Sequence, residues 1–125
     1  AESGTDFTYE GDVSIVKNGP TGAAGALMFR GNSTFTQGYA ANITTENGGQ
    51  VKLFKFPYVS LATYGTPISL NRVYHIKVVT SGSNIKVYFN YGTAPVIDVN
   101  DASYSAGRFG LCSWNGTAVF QNINK

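Results

Sequence analysis

Apolar and polar residues alternate along most of this chain, and a period of two is the pattern of a β-strand with one buried face. The alternation returns near residues 26–30, 39–44, 51–56, 74–78 and 85–89. No window places apolar residues at helical spacing over the length of a helix, so the sequence predicts an all-β fold. The clearest run occupies residues 7–15, where every second position is apolar or Gly: Phe7, Tyr9, Gly11, Val13 and Ile15.

The strand-like runs follow one another closely and are separated by Gly, Pro and Asn. Fifteen Gly, eight Tyr and eight Phe fit many short strands joined by tight turns. This spacing favours two packed antiparallel sheets, and we expect a jelly-roll β-sandwich. A chain of 125 residues lies within the range of one domain, so residues 1–125 are predicted to form a single module.

The last third of the chain predicts three more short strands, near residues 96–101, 107–114 and 118–123. The Asn115-Gly116 pair between the last two strands is a strong hairpin-turn dipeptide, because both residues tolerate positive φ. Trp114 comes just before this turn. An aromatic ring at the rim of a sheet is a common element of sugar-binding sites.

The charge and cysteine content exclude several kinds of function. The formal net charge is +2 and the basic residues are scattered, so the sequence shows no basic patch of the kind that binds nucleic acid or a membrane surface. Cys112 is the sole cysteine and His75 the sole histidine, which argues against a disulfide or a zinc site. We expect no cofactor, although a structural calcium at Asp98 and Asp101 is an alternative to a simple Asx-type turn.

No catalytic group stands out among the acids. Glycosidases need two carboxylates that face each other across a cleft, and Glu10 and Asp12 are the only acids that spacing fixes on one strand face. A solvated strand face explains this pair equally well, and a solvated strand position explains His75. No Gly-x-Ser-x-Gly turn is present. The sequence therefore favours a non-catalytic protein.

Three residue types are suited to recognising hydroxyl groups. By strand phase, Arg30 shares a face with Ala26 and Met28, where its guanidinium would offer a fork of donors above small side chains. Glu10 offers an acceptor on a strand face, and Trp114 offers a rigid apolar plate. The alternatives are a surface ion pair for Glu10 and Arg30, a core-rim position for Trp114 and core packing for Tyr39.

These residues lie in motifs that run almost end to end along the chain. With them, the chain resembles carbohydrate-binding module family 66, the fructan-binding modules attached to bacterial levanases of glycoside hydrolase family 32, within the concanavalin A-like sandwich domains. The motifs are Asp6-Phe7-Thr8-Tyr9-Glu10, Gly25-Ala26-Leu27-Met28-Phe29-Arg30, Gly38-Tyr39-Ala40-Ala41-Asn42, Val51-Lys52-Leu53-Phe54-Lys55-Phe56, Tyr74-His75-Ile76-Lys77, Val96-Ile97-Asp98, Phe109-Gly110-Leu111, and Trp114 with Ala118-Val119-Phe120-Gln121-Asn122.

The resemblance implies a non-catalytic module that captures the terminal fructose of levan or related fructans and holds an attached glycoside hydrolase near its substrate. It implies a secreted protein with polysaccharide or oligosaccharide partners. The alternative is a structural or adhesive sandwich domain that binds another glycan or a protein. The ligand-binding positions that the resemblance suggests are Glu10, Arg30 and Trp114, with Tyr39, Asn42 and Lys55 as further candidates.

Overall fold

A computed structural model of the chain describes residues 3–4, 6–20, 22–34, 36–57 and 59–125. Within these residues it consists of strands and one short 3₁₀ helix at Glu46–Gly48. The strands are β1 (Ser3–Gly4), β2 (Phe7–Asn18), β3 (Ala24–Gly31), β4 (Gly38–Thr44), β5 (Gln50–Phe56), β6 (Val59–Gly65), β7 (Val73–Ser81), β8 (Asn84–Phe89), β9 (Ile97–Asn100), β10 (Gly107–Trp114) and β11 (Gly116–Asn124).

The described strands form two antiparallel sheets. Sheet A has the order β1-β10-β3-β4-β5-β6, and sheet B has the order β11-β2-β7-β8-β9. The all-β sandwich expected from alternation is confirmed. The sheets pack face to face through the apolar sides of their strands, as in β2, where Tyr9, Val13 and Ile15 are buried while Thr8 is exposed.

The core between the sheets combines aliphatic side chains from both. Leu27, Ile43 and Leu53 of sheet A and Ile76 and Val87 of sheet B are all fully buried in it. At roughly 1.5 to 3 kcal/mol for each fully buried side chain of this size, this layer supplies most of the favourable free energy of folding. A smaller cluster on the outer side of sheet A contains Ala26, Met28, Ala40 and Phe56, packed against Cys112 and Trp114.

Hairpins join β4 to β5 and β7 to β8, and their connections contain the turn-forming residues Asn47-Gly48-Gly49 and Gly82-Ser83. The hairpin predicted at Asn115-Gly116 is wrong. Asn115 does adopt a positive φ of 58°, but β10 pairs with β3 in sheet A whereas β11 pairs with β2 in sheet B. The dipeptide therefore turns the chain from one sheet to the other, because turn chemistry fixes the reversal and not the partner strand.

The position of Arg30 is the other main departure from alternation. Its φ is +50°, and the pairing of β10 with β3 shifts register at this point, so that Arg108 lies opposite Gly31 and Gly110 opposite Met28. This β-bulge inserts one residue into β3 and changes the side to which Arg30 points. The predicted face shared with Ala26 and Met28 is thus wrong, and the side chain is 2% exposed.

Candidate functional site

The outer face of sheet A is recessed at its centre, because the strands there carry small residues. Ala26 and Ala40 are completely buried on this face, and they pack in the outer cluster with Phe56 and Trp114. Asn42 lies directly between Ala26 of β3 and Lys52 of β5 in the strand register. Beside this cluster, the shorter side chains of Ala24, Asn42 and Thr44 and the longer ones of Lys52, Phe54 and Trp114 line a groove.

This groove has a volume of about 210 Å³. Three aromatic rings and several hydrogen-bonding groups meet in it, a combination typical of small-ligand sites. The ring centroids of Phe56 and Trp114 are 6.2 Å apart, and the Lys52 ammonium lies 5.5 Å from the centre of the Phe54 ring. The lining residues are Ala24, Asn42, Thr44, Glu46, Lys52, Phe54, Phe56, Trp114 and Asn115.

Asn42 is the most informative residue of the groove. It is 1% exposed, and its amide oxygen has no hydrogen-bond donor among the described residues. Gln50, whose Cα faces Thr44 in the register, also buries a side-chain oxygen without a donor in the described part of the chain. Buried acceptors without a donor are costly and uncommon in folded proteins. Asn42 is thus a residue of the groove lining with an acceptor that no described residue satisfies.

Of the six residues predicted to bind ligand, the groove brings together Asn42 and Trp114. The alternation did not identify Phe54 and Phe56, which lie on the outward phase of β5, where polar residues are expected. That signal was available in the sequence, since two aromatic residues on the polar phase of a strand indicate a covered or binding surface. Glu10 lies in the other sheet, on the outer face of β2.

Arg30 lies at one end of the sandwich. Its guanidinium nitrogens donate to the carbonyl of Gly82 at 2.9 Å and to that of Tyr104 at 3.4 Å, and the group lies 5.8 Å from the ring centre of Phe7. Gly82 belongs to the turn between β7 and β8, so Arg30 ties the end of sheet A to sheet B.

Tyr39 and Lys55 converge on Asp101 at the same end of the sandwich. The Tyr39 hydroxyl donates to Asp101 Oδ1 at 2.6 Å, and Lys55 Nζ lies 3.1 Å from Oδ2. Burial raises the pKa of Tyr39 to about 12. Burial also disfavours the charged form of Asp101, but hydrogen bonds from Tyr39, Ser103 and Lys55 outweigh it and hold the pKa of this carboxyl well below its usual value.

We predict that Asp101→Asn lowers the free energy of unfolding by about 1 to 3 kcal/mol at neutral pH, because hydrogen bonds to a charged acceptor are lost. The folded-state pKa is depressed, so the contribution of Asp101 is complete above the unfolded value of about 3.9 and disappears as the pH falls towards the folded-state pKa. Urea unfolding at neutral pH and at about pH 2 measures this. The difference between wild type and variant should be smaller at about pH 2 than at neutral pH.

The matched control is Asp98→Asn, whose carboxylate is 51% exposed and 3.9 Å from Lys86 Nζ. An exposed pair of this kind contributes little, so the control should unfold like the wild type at both pH values. An Asp101→Asn variant as stable as the wild type at neutral pH would contradict the expected role of this carboxylate.

The described part of the chain contains no group of three or more His, Cys, Asp or Glu side chains placed to hold a metal ion. No helix within it is long and apolar enough to cross a bilayer. Cys112 is a free thiol, and burial raises its pKa.

A solved structure of carbohydrate-binding module CBM66 from Bacillus subtilis matches this chain with a TM-score of 0.88 and 42% sequence identity. The match covers 98% of this chain and 76% of that one. This chain belongs to carbohydrate-binding module family 66. It is a carbohydrate-binding module, and such a module is a non-catalytic part of a glycoside hydrolase.

The family 66 module is also similar to parts of two larger proteins. It is 44% identical over 126 residues to a levanase of Bacillus subtilis (strain 168), which covers 98% of this chain and 18% of that protein. It is 31% identical over 127 residues to a levanase of Bacillus sp. (strain L7), covering 94% of this chain and 13% of that protein. The module thus spans less than a fifth of the length of either levanase.

A protein of unknown function with a galectin-like fold from Bacillus subtilis also matches, with a TM-score of 0.69 and 14% identity over 98% of this chain and 72% of that chain. At this identity the likeness shows the fold alone. No protein-family model matches the chain.

Proposed function

We propose that the groove on sheet A binds the terminal fructose unit of levan or a related fructan. The observation that carries the proposal is the donor-less amide oxygen of Asn42, buried at the bottom of an aromatic-lined groove in a family 66 module. Sugars present both hydroxyl donors and apolar C–H faces. The names of the two similar levanases direct attention to fructans among sugars.

The groove residues would make different kinds of contact with a sugar. The Trp114 ring offers an apolar surface for the C–H face of the sugar, and the Asn42 oxygen accepts a hydroxyl hydrogen bond. The Lys52 ammonium, at the opposite side of Asn42 from Ala26, can donate to a hydroxyl oxygen. These contacts orient one sugar unit.

A single small site of this kind binds with a Kd of roughly 0.1 to 1 mM. We propose that the module acts outside the cell as part of a longer enzyme and keeps an attached hydrolase close to polymeric substrate. Useful retention then comes from effective concentration and not from a tight single contact.

The proposal is tested by calorimetry and by NMR titration of the module with levan oligosaccharides, inulin oligosaccharides, sucrose and a panel of glucan oligosaccharides. Binding of fructans with shifts of the Trp114 indole and Asn42 amide signals is expected. Binding of glucans in preference to fructans would overturn the proposed ligand. Shifts that omit the groove in every titration would overturn the proposed site.

We predict that Asn42→Ala weakens fructan binding about fivefold to tenfold, which corresponds to the loss of one neutral hydrogen bond. The same change should alter the free energy of unfolding by less than about 1 kcal/mol, because the amide oxygen has no donor to lose among the described residues. Calorimetry gives the affinity and urea unfolding gives the stability.

Thr44→Val is the matched control within the same groove. The Thr44 hydroxyl accepts a hydrogen bond from the Glu46 backbone N–H at 3.1 Å, so this change should lower stability while it leaves most of the affinity. If Asn42→Ala destabilises the module and binds fructan like the wild type, Asn42 serves the fold and the proposed site is wrong.

A further inference from the structure

A second polar surface lies on the outer face of sheet B, on the opposite side of the sandwich from the groove. Glu10 and Asp12 extend from this face of β2, and His75 of β7 lies opposite Asp12 in the strand register. His75 Nε2 is 2.9 Å from Glu10 Oε1, and Nδ1 is 2.8 Å from Asp12 Oδ1. His75 is 6% exposed, so the prediction of a solvated histidine is wrong. One buried ring fixes the positions of two carboxylates.

Tyr91 covers His75 and forms the outermost part of this surface. The two rings stack with centroids 4.0 Å apart and planes 12° from parallel, and yet Tyr91 is 74% exposed. The neighbouring Asn90 holds Tyr91 close to β7. The backbone N–H of Asn90 donates to the backbone carbonyl of His75, and the Asn90 side-chain oxygen accepts from the backbone N–H of His75. One face of the Tyr91 ring is therefore held against His75 while the residue remains open to solvent.

Asp12 links this ring pair to a concavity of about 140 Å³. The concavity is lined by Asp12, Ser14 and Gln121 together with Val16, Val73 and Val119. Hydrogen bonds from Asn122 and His75 lower the pKa of Asp12, so this carboxylate is an ionised acceptor at neutral pH. An exposed aromatic ring beside fixed acceptors and an apolar hollow is suited to a ring with one apolar face and several hydroxyl groups.

We propose that this surface is a second saccharide-binding site, in which a sugar ring packs on Tyr91 and its hydroxyl groups donate to Glu10 and Asp12. The inference rests on the proposed function for the choice of fructans as the first ligand to test. It does not rest on the groove. Since the two sites lie on opposite outer faces of the sandwich, one module could hold two glycan chains.

The experiment is an NMR titration of wild type, Trp114→Ala and Tyr91→Ala with levan oligosaccharides. In Trp114→Ala, the backbone amide signals of His75, Asn90 and Tyr91 should still shift as in the wild type. In Tyr91→Ala, the shifts on sheet B should need at least about tenfold more sugar, while the groove signals titrate normally. Tyr64→Ala is the control, because Tyr64 is a 41% exposed tyrosine on the edge strand β6 of sheet A.

Glu10→Gln provides a second variant that keeps the size of the side chain. It should weaken the sheet B site at least about threefold, because a neutral amide oxygen accepts a weaker hydrogen bond than a carboxylate. Binding of levan polymer provides a separate readout. Wild type should cross-link the polymer into sedimenting complexes, and both Tyr91→Ala and Trp114→Ala should fail to do so.

The outcomes separate this proposal from the proposed function. Loss of shifts on both faces in Trp114→Ala would show one site and overturn the inference. Titration of Tyr91→Ala like Tyr64→Ala would also overturn it. Shifts confined to sheet B in the wild type would support this site and refute the groove. An absence of shifts on sheet B with levan, inulin and glucan oligosaccharides alike would refute a saccharide site there.

Discussion

Replacing Arg30 by Met will lower the free energy of unfolding of the module by about 2 to 4 kcal/mol, because two backbone carbonyls lose a charged donor in a buried setting. Those carbonyls belong to Gly82 and Tyr104, and the side chain that serves them is 2% exposed. Urea unfolding measures the loss. Met retains an unbranched apolar chain of similar length, so the difference reports mainly the guanidinium.

The affinity for fructan should hardly change in folded Arg30→Met. Arg30 is not among the residues that line the groove, and separated sites act almost independently, so a change of less than about twofold is expected. Strand alternation alone predicts the reverse, a folded variant that has lost its ligand. Arg108→Met is the control, since Arg108 is an exposed arginine paired with Gly31 next to the bulge. A stable Arg30→Met variant with greatly weakened affinity would return Arg30 to the binding site.

Arg30 also shows what alternation can and cannot predict. The period of two identifies the core-facing residues of β2 and β7 correctly, since burial of apolar side chains is what selects the face. A bulge in β3 shifts the alternation of inward and outward side chains by one residue at Arg30. The bulge arises in the pairing of β3 with β10, a strand far along the chain. The edge strand β6 was missed for a related reason, because its residues are half-buried or exposed and give no clear alternation.

The site is harder to predict than the fold because it depends on strand order. Asn42 and Trp114 were both suggested by resemblance, but their shared groove exists because β10 and β4 flank β3 in sheet A. Glu10 was grouped with them, and yet it lies in the other sheet with His75. The sequence identifies polar and aromatic residues that can bind a ligand. The strand order of the two sheets decides which of them share an outer face.

The second large effect concerns Trp114. We expect Trp114→Ala to weaken fructan binding by about 1 to 3 kcal/mol, or roughly 5- to 150-fold, because the apolar face of the sugar loses its main contact. Stability should fall less than binding. Trp114 is half-buried and packs on the outer cluster with Phe56, outside the main core between the sheets. Calorimetry with levan oligosaccharides and thermal unfolding give the two quantities.

Leu111→Ala is the matched control, because Leu111 lies on the same strand, is 44% exposed and is not part of the groove lining. It should bind fructan like the wild type. The comparison separates two roles for Trp114 that the sequence alone left open. If Trp114→Ala binds normally and only melts at a lower temperature, the ring closes the rim of the outer cluster, and the sugar site lies elsewhere on the module, with the Tyr91 surface of sheet B the next to test.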